Sequence, residues 1–140
     1  MATDGGSAAH VSPGGRQPAD VLRSMVAAFT SGRVSSAPSY IHPEYLDHQG
    51  ITGHPMHGPE GFVRIVQMVR RRYSHLSIAI QNVQVHGDEI QAQLTWEGLR
   101  LSGRAFRRVT TERIWISAGQ AIEHWGSMHK STPSRRPARY

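Results

Sequence analysis

Two short segments contain the residues best suited to moving protons. The first reads Tyr45-Leu46-Asp47-His48 and the second Glu123-His124-Trp125. Proton transfer near neutral pH favours a histidine, or a carboxylate whose pKa has been moved by its surroundings. Because Asp47 and His48 are adjacent, they need not point the same way, and the motif alone does not imply a His–Asp dyad.

Strand alternation limits how the second segment can point. Glu123 and Trp125 share one face of a strand, whereas His124 and Gly126 share the other. Only one set can point inward, and the pattern leaves both choices open. A dimer interface or solvent would then meet the other set.

The preceding strand offers a partner for Glu123. Thr111, Arg113 and Trp115 share a face there, which makes an Arg113–Glu123 ion pair across the strands plausible. Such a pair would keep Glu123 ionised and favour a structural role for it over that of a base.

Other kinds of site find little support. His54 and His57 lie close to Asp47 and His48 in sequence, but no helical His-x-x-x-His or paired acidic motif accompanies them, so no metal site is predicted. The chain has no Gly-x-Ser-x-Gly elbow, phosphate loop or dinucleotide fingerprint. The absence of cysteine excludes thiol nucleophiles and disulfides.

The elements that must position these residues are helices first and strands afterwards. A helix is predicted from about Pro18 to Gly32, a loop over 49–58, and a longer helix from about Pro59 to Tyr73. A short helical turn could lie within 33–44. From Leu76 onward the apolar residues alternate, which predicts antiparallel strands that turn at Gly87-Asp88 and Ala118-Gly119. Strands are expected over roughly 104–117 and 120–129, so the pattern predicts an α+β protein.

Composition bounds the class of protein. A chain of 140 residues predicts one domain, at 17–130, between a disordered N-terminal tail at 1–16 and a basic, flexible C-terminal tail at 131–140. The sequence shows neither a secretory signal nor a membrane span, so a cytoplasmic location is expected. The net charge is +6 and comes mainly from arginine. No nucleic-acid motif accompanies the arginine clusters, and nucleic acid is not an expected partner.

Several pieces in order give the chain a family resemblance. They are Tyr45-Leu46-Asp47-His48, Gly58-Pro59-Glu60-Gly61-Phe62, Val83 with His86-Gly87-Asp88 before Trp96, Ile114-Trp115, Gly119, and Ile122-Glu123-His124-Trp125. With this order and spacing, residues 20–129 resemble the SnoaL-like polyketide cyclases of the NTF2-like superfamily. The resemblance implies an NTF2-like, cystatin-like α+β barrel, in which N-terminal helices pack on a strongly curved antiparallel sheet that encloses a cavity. It also implies a homodimer formed through the sheet.

The resemblance implies cofactor-independent ring closure of a polyketide-like intermediate by an intramolecular aldol step. Two departures stand out. Family members often have Asp directly after the Glu-His-Trp run, where this chain has Gly126, and the loop at 97–103 is short. The first departure questions the usual catalytic assignment, and the second should alter the mouth of the pocket.

These observations lead to a cyclase, or a related isomerase, as the first hypothesis. His48 is the first candidate for the acid/base, with Asp47, Glu123 and His124 as further catalytic candidates. The residues expected to contact a hydrophobic substrate are Tyr45, Met56, Phe62, Trp96, Arg113, Trp115 and Trp125. The alternatives are an NTF2-like protein that binds a small molecule without chemistry, and an epoxide-opening or ether-forming cyclase of the same fold.

Overall fold

The computed structural model describes residues 16–48 and 53–128. Apart from Arg16, the predicted tails lie outside these residues. In chain order the elements are α1 (Pro18–Ser31), α2 (Ala37–Tyr40), β1 (Ile41–Asp47), β2 (Met56–His57), α3 (Gly58–Arg72), β3 (Tyr73–His86), β4 (Glu89–Arg100), β5 (Ala105–Ser117) and β6 (Gln120–Met128). The two long predicted helices, α1 and α3, do precede the run of strands β3 to β6, but the strands β1 and β2 lie between α2 and α3.

Helix α1 begins and ends where the sequence predicts. Pro18 occupies its first turn, where a missing backbone N–H costs nothing. Gly32 ends the helix in the left-handed conformation at φ 77°, and its N–H bonds to the Ala28 carbonyl. The buried residues are Val21, Leu22, Met25, Val26 and Ala28, which form one apolar face at helical spacing.

Helix α3 buries the predicted stripe of Phe62, Ile65, Val66 and Val69. Its C-terminal arginines favour the helix end electrostatically. Arg70 also donates to the carbonyls of Phe29 and Thr30, at 2.8 and 3.1 Å, and so ties the ends of α1 and α3 together.

The strands form one six-stranded sheet in the order β2-β1-β6-β5-β4-β3. Strands β3 to β6 form the predicted antiparallel meander. The sheet as a whole is mixed, however, because β1 pairs in parallel with β6. The predicted antiparallel sheet is thus found in β3 to β6, the parallel pairing of β1 with β6 was not predicted, and the strong curvature stays a prediction.

Two strands were missed because their sequences look like turns. Pro43 interrupts the β1 pattern, but Ile41, Tyr45 and Asp47 are buried and the segment extends the sheet beside β6. Part of the predicted loop at 49–58 is the short strand β2, which pairs with β1, and Gly58 already begins α3. Residues 53–55 belong to neither a helix nor a strand, and residues 49–52 lie outside the described residues. The β1 and β2 segments form strands because a neighbouring strand accepts their backbone hydrogen bonds.

The core lies between the helices and one face of the sheet. Tyr45, Phe62, Ile41, Ile90 and Ile114 are the largest fully buried side chains. Phe62 packs edge-on against Tyr40 and Tyr45, which links α3 to α2 and β1. This packing leaves a cavity whose wall includes β4, β5 and β6.

Candidate active site

The pairing of β1 with β6 brings the two segments together. In this parallel pair Asp47 lies opposite His124 and Leu46 lies opposite Glu123. The His48 N–H also donates to the His124 carbonyl at 3.0 Å. Residues about 75 positions apart in sequence therefore become direct neighbours.

Four side chains form a hydrogen-bonded cluster on the inner face of the sheet, here called the inner cluster: Tyr45, Asp47, Glu112 and His124. His124 bonds through Nδ1 to Asp47 Oδ2 at 2.8 Å and through Nε2 to Glu112 Oε1 at 2.5 Å. The Tyr45 hydroxyl donates to the same Asp47 oxygen at 2.9 Å. Both ring nitrogens thus face acceptors, and only the imidazolium form can donate to both carboxylates.

Burial and charge decide the protonation state of His124. Burial by itself lowers the pKa of His124, but the hydrogen bonds to Asp47 and Glu112 and the charges of these carboxylates outweigh it and raise the pKa to about 10. Burial, reinforced by the charge and hydrogen bond of Asp47, raises the pKa of the Tyr45 hydroxyl well above its ordinary value. Near neutral pH the cluster holds an imidazolium and a neutral phenol.

Small residues on both neighbouring strands make room for Glu112. Ala92 lies opposite it on β4, and Gly126 lies opposite it on β6. A Cβ atom at position 126 would lie 2.7 Å from Glu112 Oε1, closer than any stable contact. The Glu112 carboxylate therefore fills the space into which a side chain at 126 would project.

The inner cluster lies in the wall of a cavity of about 410 Å³. This volume is within the range of small-molecule sites, roughly 300 to 1,000 Å³. Most of the lining is apolar, with an aromatic wall that includes Phe29, Phe62 and Trp96. Phe29 packs edge-on against both Phe62 and Trp96, with ring centroids 5.8 and 5.3 Å away. The polar groups of the wall include all four members of the inner cluster, Thr110, Arg72 and Arg108.

The structure gives the orientation of the β6 residues: His124 and Gly126 face the cavity, and Glu123 and Trp125 face the opposite side. His48 lies on that opposite side as well, where its Nε2 bonds to Glu123 Oε2 at 2.5 Å and its ring stacks on Trp125. We call these three residues the outer cluster. His48, the first candidate for the acid/base, therefore does not line the cavity, because β1 ends with Asp47 pointing inward and the next residue points outward.

The expected Arg113–Glu123 ion pair does not form. Strand register places Arg113 opposite Trp125, and its guanidinium lies 4.6 Å from that ring. Its carboxylate partner is Glu89, at 3.3 Å. Glu123 pairs with His48 instead.

The structure divides the residues expected to contact substrate. Tyr45, Phe62 and Trp96 line the cavity. Arg113, Trp115 and Trp125 lie outside it on the outer face, and Met56 is buried against α3 with Ile65 and Val69. The division follows the alternation of each strand, since neighbouring residues of a strand face opposite ways.

Sequence reasoning missed Glu112 and Arg108. Phe106, Arg108, Thr110, Glu112 and Ile114 occupy alternate positions of β5, and all of them line the cavity. A charged residue in phase with buried apolar residues was the available signal. The arginine clusters were interpreted as wholes, which hid the opposite orientation of Arg107 and Arg108.

Two further features of the described residues bear on function. Among residues 16–48 and 53–128, no group of three or more histidine or acidic side chains is arranged to hold a metal ion. In the same part of the chain, no helix is long and apolar enough to cross a membrane.

The helices packed on a mixed sheet around a cavity define an α+β protein of the NTF2-like, or ketosteroid-isomerase-like, class. A Catenulispora acidiphila protein described as having a ketosteroid isomerase-like fold superposes with a TM-score of 0.69 at 13% identity, covering 80% of this chain and 87% of the other. IdmH of Streptomyces antibioticus superposes with a TM-score of 0.70 at 21% identity, covering 81% and 92%.

Sequence comparison then gives the family. The model of the SnoaL-like polyketide cyclases matches residues 19–135, and the chain belongs to this family. The nogalonic acid methyl ester cyclase of Streptomyces nogalater is 34% identical over 92 residues, which cover 64% of this chain and slightly under two thirds (66%) of that relative. The aklanonic acid methyl ester cyclase AcmA of Streptomyces galilaeus is 28% identical over 111 residues, covering 77% and 76%. The predicted family is confirmed.

Proposed function

We propose that this protein closes a ring in a polyketide-like intermediate by an intramolecular aldol reaction, with Glu112 as the base. The observation that carries the proposal is the hydrogen-bonded Asp47–His124–Glu112 arrangement in the wall of a mostly apolar cavity. His124 combines burial in the cavity wall with a raised pKa, and this combination is typical of catalytic sites. Membership of a cyclase family supports the same reaction type.

Glu112 is better placed than His124 to take the substrate proton. Both nitrogens of His124 are engaged by carboxylates, so the ring has no lone pair to offer. Glu112 uses Oε1 to accept from His124, which leaves Oε2 to remove an acidic proton from a carbon between two carbonyls. Asp47 is occupied by Tyr45 and His124 and holds the imidazolium in position.

The proton balance of the step closes without another reactant. Glu112 removes the proton, and the electron pair of the broken C–H bond forms the enolate. The enolate carbon attacks a second carbonyl of the same molecule, and the new alkoxide recovers the proton from Glu112. The positive charge of His124 stabilises the negative charge while it is on the substrate.

Gly126 fits this assignment. The resemblance places an acid at this position in many family members, and in this chain the Glu112 carboxylate occupies the adjoining space from β5. The carboxylate would thus be supplied by the neighbouring strand. Gly126 is then consistent with a catalytic carboxylate that lies on β5 instead of β6, and not with the loss of that carboxylate.

The experiment measures cyclisation of nogalonic and aklanonic acid methyl esters, the compounds that the relatives' names give, together with the free acids. Glu112→Gln should lower turnover by about 10²- to 10⁴-fold, the usual contribution of a general base, while substrate still binds. Glu97→Gln is the matched control, because Glu97 is exposed and pairs with Arg107. Turnover by Glu112→Gln equal to that of Glu97→Gln would overturn the assignment of the base.

Failure of the wild-type protein to convert any of the four compounds, while binding them, would favour the binding-only alternative. Binding is measured by quenching of tryptophan fluorescence, since Trp96 lines the cavity. Urea unfolding of each variant shows whether a loss of turnover reflects loss of the fold.

A homodimer is part of the same proposal. The outer face of the sheet carries Trp115, which is 47% exposed and packs edge-on against Trp125. Aromatic residues on an accessible face favour association. Light scattering on the purified protein should give twice the chain mass of 15.5 kDa, and a Trp115→Glu variant should shift it toward the monomer.

A further inference from the structure

Two arginines lie in the same cavity as the inner cluster but belong to other elements. Arg72 is the last residue of α3, and Arg108 lies on β5 opposite Trp96. Both line the cavity. The aldol reaction proposed above uses neither of them.

The inward position of Arg108 follows from strand alternation. Its neighbour Arg107 points away from the cavity and pairs with Glu97 at 3.3 Å. Arg108 instead shares its face with Phe106 and Thr110, and it is partly buried. A partly buried guanidinium in a mostly apolar cavity wall lies in surroundings of lowered dielectric, where its charge acts more strongly than in water.

Protein carboxylates do not neutralise this pair. Within residues 16–48 and 53–128, neither Arg72 nor Arg108 forms an ion pair. The carboxylates of the cavity wall, Asp47 and Glu112, are both engaged by His124. The arginine positions therefore offer positive charge to a ligand.

Strand β5 carries both Glu112 of the inner cluster and Arg108 of the arginine pair, so the spacing along it gives the distance between these two polar parts of the cavity. Glu112 lies four positions along β5 from Arg108, which corresponds to roughly 13 Å of strand. Thr110 lies between them on the same face, and the Trp96 Nε1–H donates to its hydroxyl at 2.9 Å. A flat ligand of about three fused rings would span this distance along the aromatic wall.

We propose that the substrate carries a free carboxylate at the end opposite the reacting carbons, and that Arg72 and Arg108 bind it. The guanidinium group matches a carboxylate because it can donate two parallel hydrogen bonds. The inference rests on the proposed function for the orientation of the substrate, because it assumes that the reacting carbons lie at Glu112. The names of the two relatives specify methyl esters, in which the esterified carboxyl group carries no charge.

The test compares the binding of anthraquinone-2-carboxylate with that of its methyl ester, which has the same rings and no charge. Titration calorimetry of the full chain should show the acid binding at least about tenfold more tightly. Arg108→Gln should reduce this preference to about twofold or less, chiefly by lowering the affinity for the carboxylate ligand. Arg72→Gln should reduce the preference by a smaller factor because Arg72 is more exposed. Arg107→Gln is the matched control and should keep the full preference.

Equal binding of acid and ester by the wild type, or binding of neither, overturns the proposal. A preference that survives in the Arg72→Gln/Arg108→Gln double variant also overturns it. Glu112→Gln separates this inference from the reaction: it should leave the preference for the acid intact and lower turnover by about 10²- to 10⁴-fold. If the preference is present and Glu112→Gln still turns over, the carboxylate site stands and the assignment of the base fails.

Discussion

The inner and outer clusters each contain a histidine paired with a carboxylate, on opposite faces of the sheet. Strand β1 and its next residue supply Asp47 and His48, and β6 supplies Glu123 and His124. Alternation exchanges the partners, so that Asp47 pairs with His124 inside and His48 pairs with Glu123 outside. Neither histidine pairs with the acid beside it in sequence.

Burial makes the two clusters unequal. In the inner cluster the side chains of His124, Asp47 and Glu112 are 16%, 6% and 9% exposed, whereas His48 and Glu123 are 35% and 30% exposed. Water screens the outer pair and leaves it a small energetic role. A third group, the second carboxylate, is present only inside. The comparison shows that a histidine and a carboxylate become suited to catalysis when they are buried and when a second carboxylate joins them.

The largest effect is expected from removing the inner histidine. His124→Gln leaves Asp47 and Glu112 close together without a cation, and breaking a buried charge pair costs about 3–5 kcal/mol. Urea unfolding at pH 7 should show a loss of that order. A loss below about 1 kcal/mol would mean that the inner pair is screened as well as the outer one.

The second largest effect is expected in the pH dependence of stability, to which His124 of the inner cluster should contribute through its raised pKa. The pKa of His124 is raised from 6.5 to about 10, so the folded protein binds the extra proton more tightly than the unfolded chain. The stabilisation is fully present below about pH 6.5 and is lost as the pH rises to about 10, with a slope of at most about 1.4 kcal/mol per pH unit. Urea unfolding between pH 6 and 10 measures the slope, and His124→Gln should remove this component. The same slope in wild type and variant would contradict the raised pKa.

A smaller effect is expected at Gly126. In Gly126→Ala the new Cβ displaces the Glu112 carboxylate, because the two atoms would be 2.7 Å apart. We expect about 1–2 kcal/mol of destabilisation from overpacking and about a tenfold loss of turnover. The matched background is Glu112→Ala, in which Gly126→Ala should cost under about 0.5 kcal/mol since the obstructing carboxylate is gone. Equal costs in both backgrounds would show that the two positions are not coupled.

The smallest effect is expected in the outer cluster. His48→Gln removes a partly exposed ion pair and its stacking on Trp125, so stability should fall by at most about 1 kcal/mol and turnover should stay within about twofold. Urea unfolding and steady-state kinetics check both values. Loss of turnover comparable to that of Glu112→Gln would return the catalytic role to His48, the first candidate from sequence.

Much of the fold was accessible from local patterns. Helical spacing with Pro18 and Gly32 predicted α1, and alternation with Gly87-Asp88 and Ala118-Gly119 predicted the meander. These signals depend on neighbours within a few residues. Strand β1 was missed because Pro43 makes its sequence look like a turn and because its parallel neighbour β6 lies almost 80 positions away, where no local pattern reports it.

The candidate site was only partly accessible. Asp47, Tyr45 and His124 were named from their chemistry and from the resemblance, and the structure brings them together. Glu112 was not named, since it lies in an ordinary strand without a recognisable motif. Its significance depends on Ala92 and Gly126, which leave space for it only after β4, β5 and β6 have come into register.

The sequence by itself determined the order of most elements, the family, and which residue types could exchange protons. It also determined that Glu123 and His124 must face opposite ways, because adjacent residues of a strand always do. The tertiary structure decided which of them faces the cavity and which acid meets which histidine. Those choices depend on the register between strands distant in sequence and on burial, and both arise only when the chain packs.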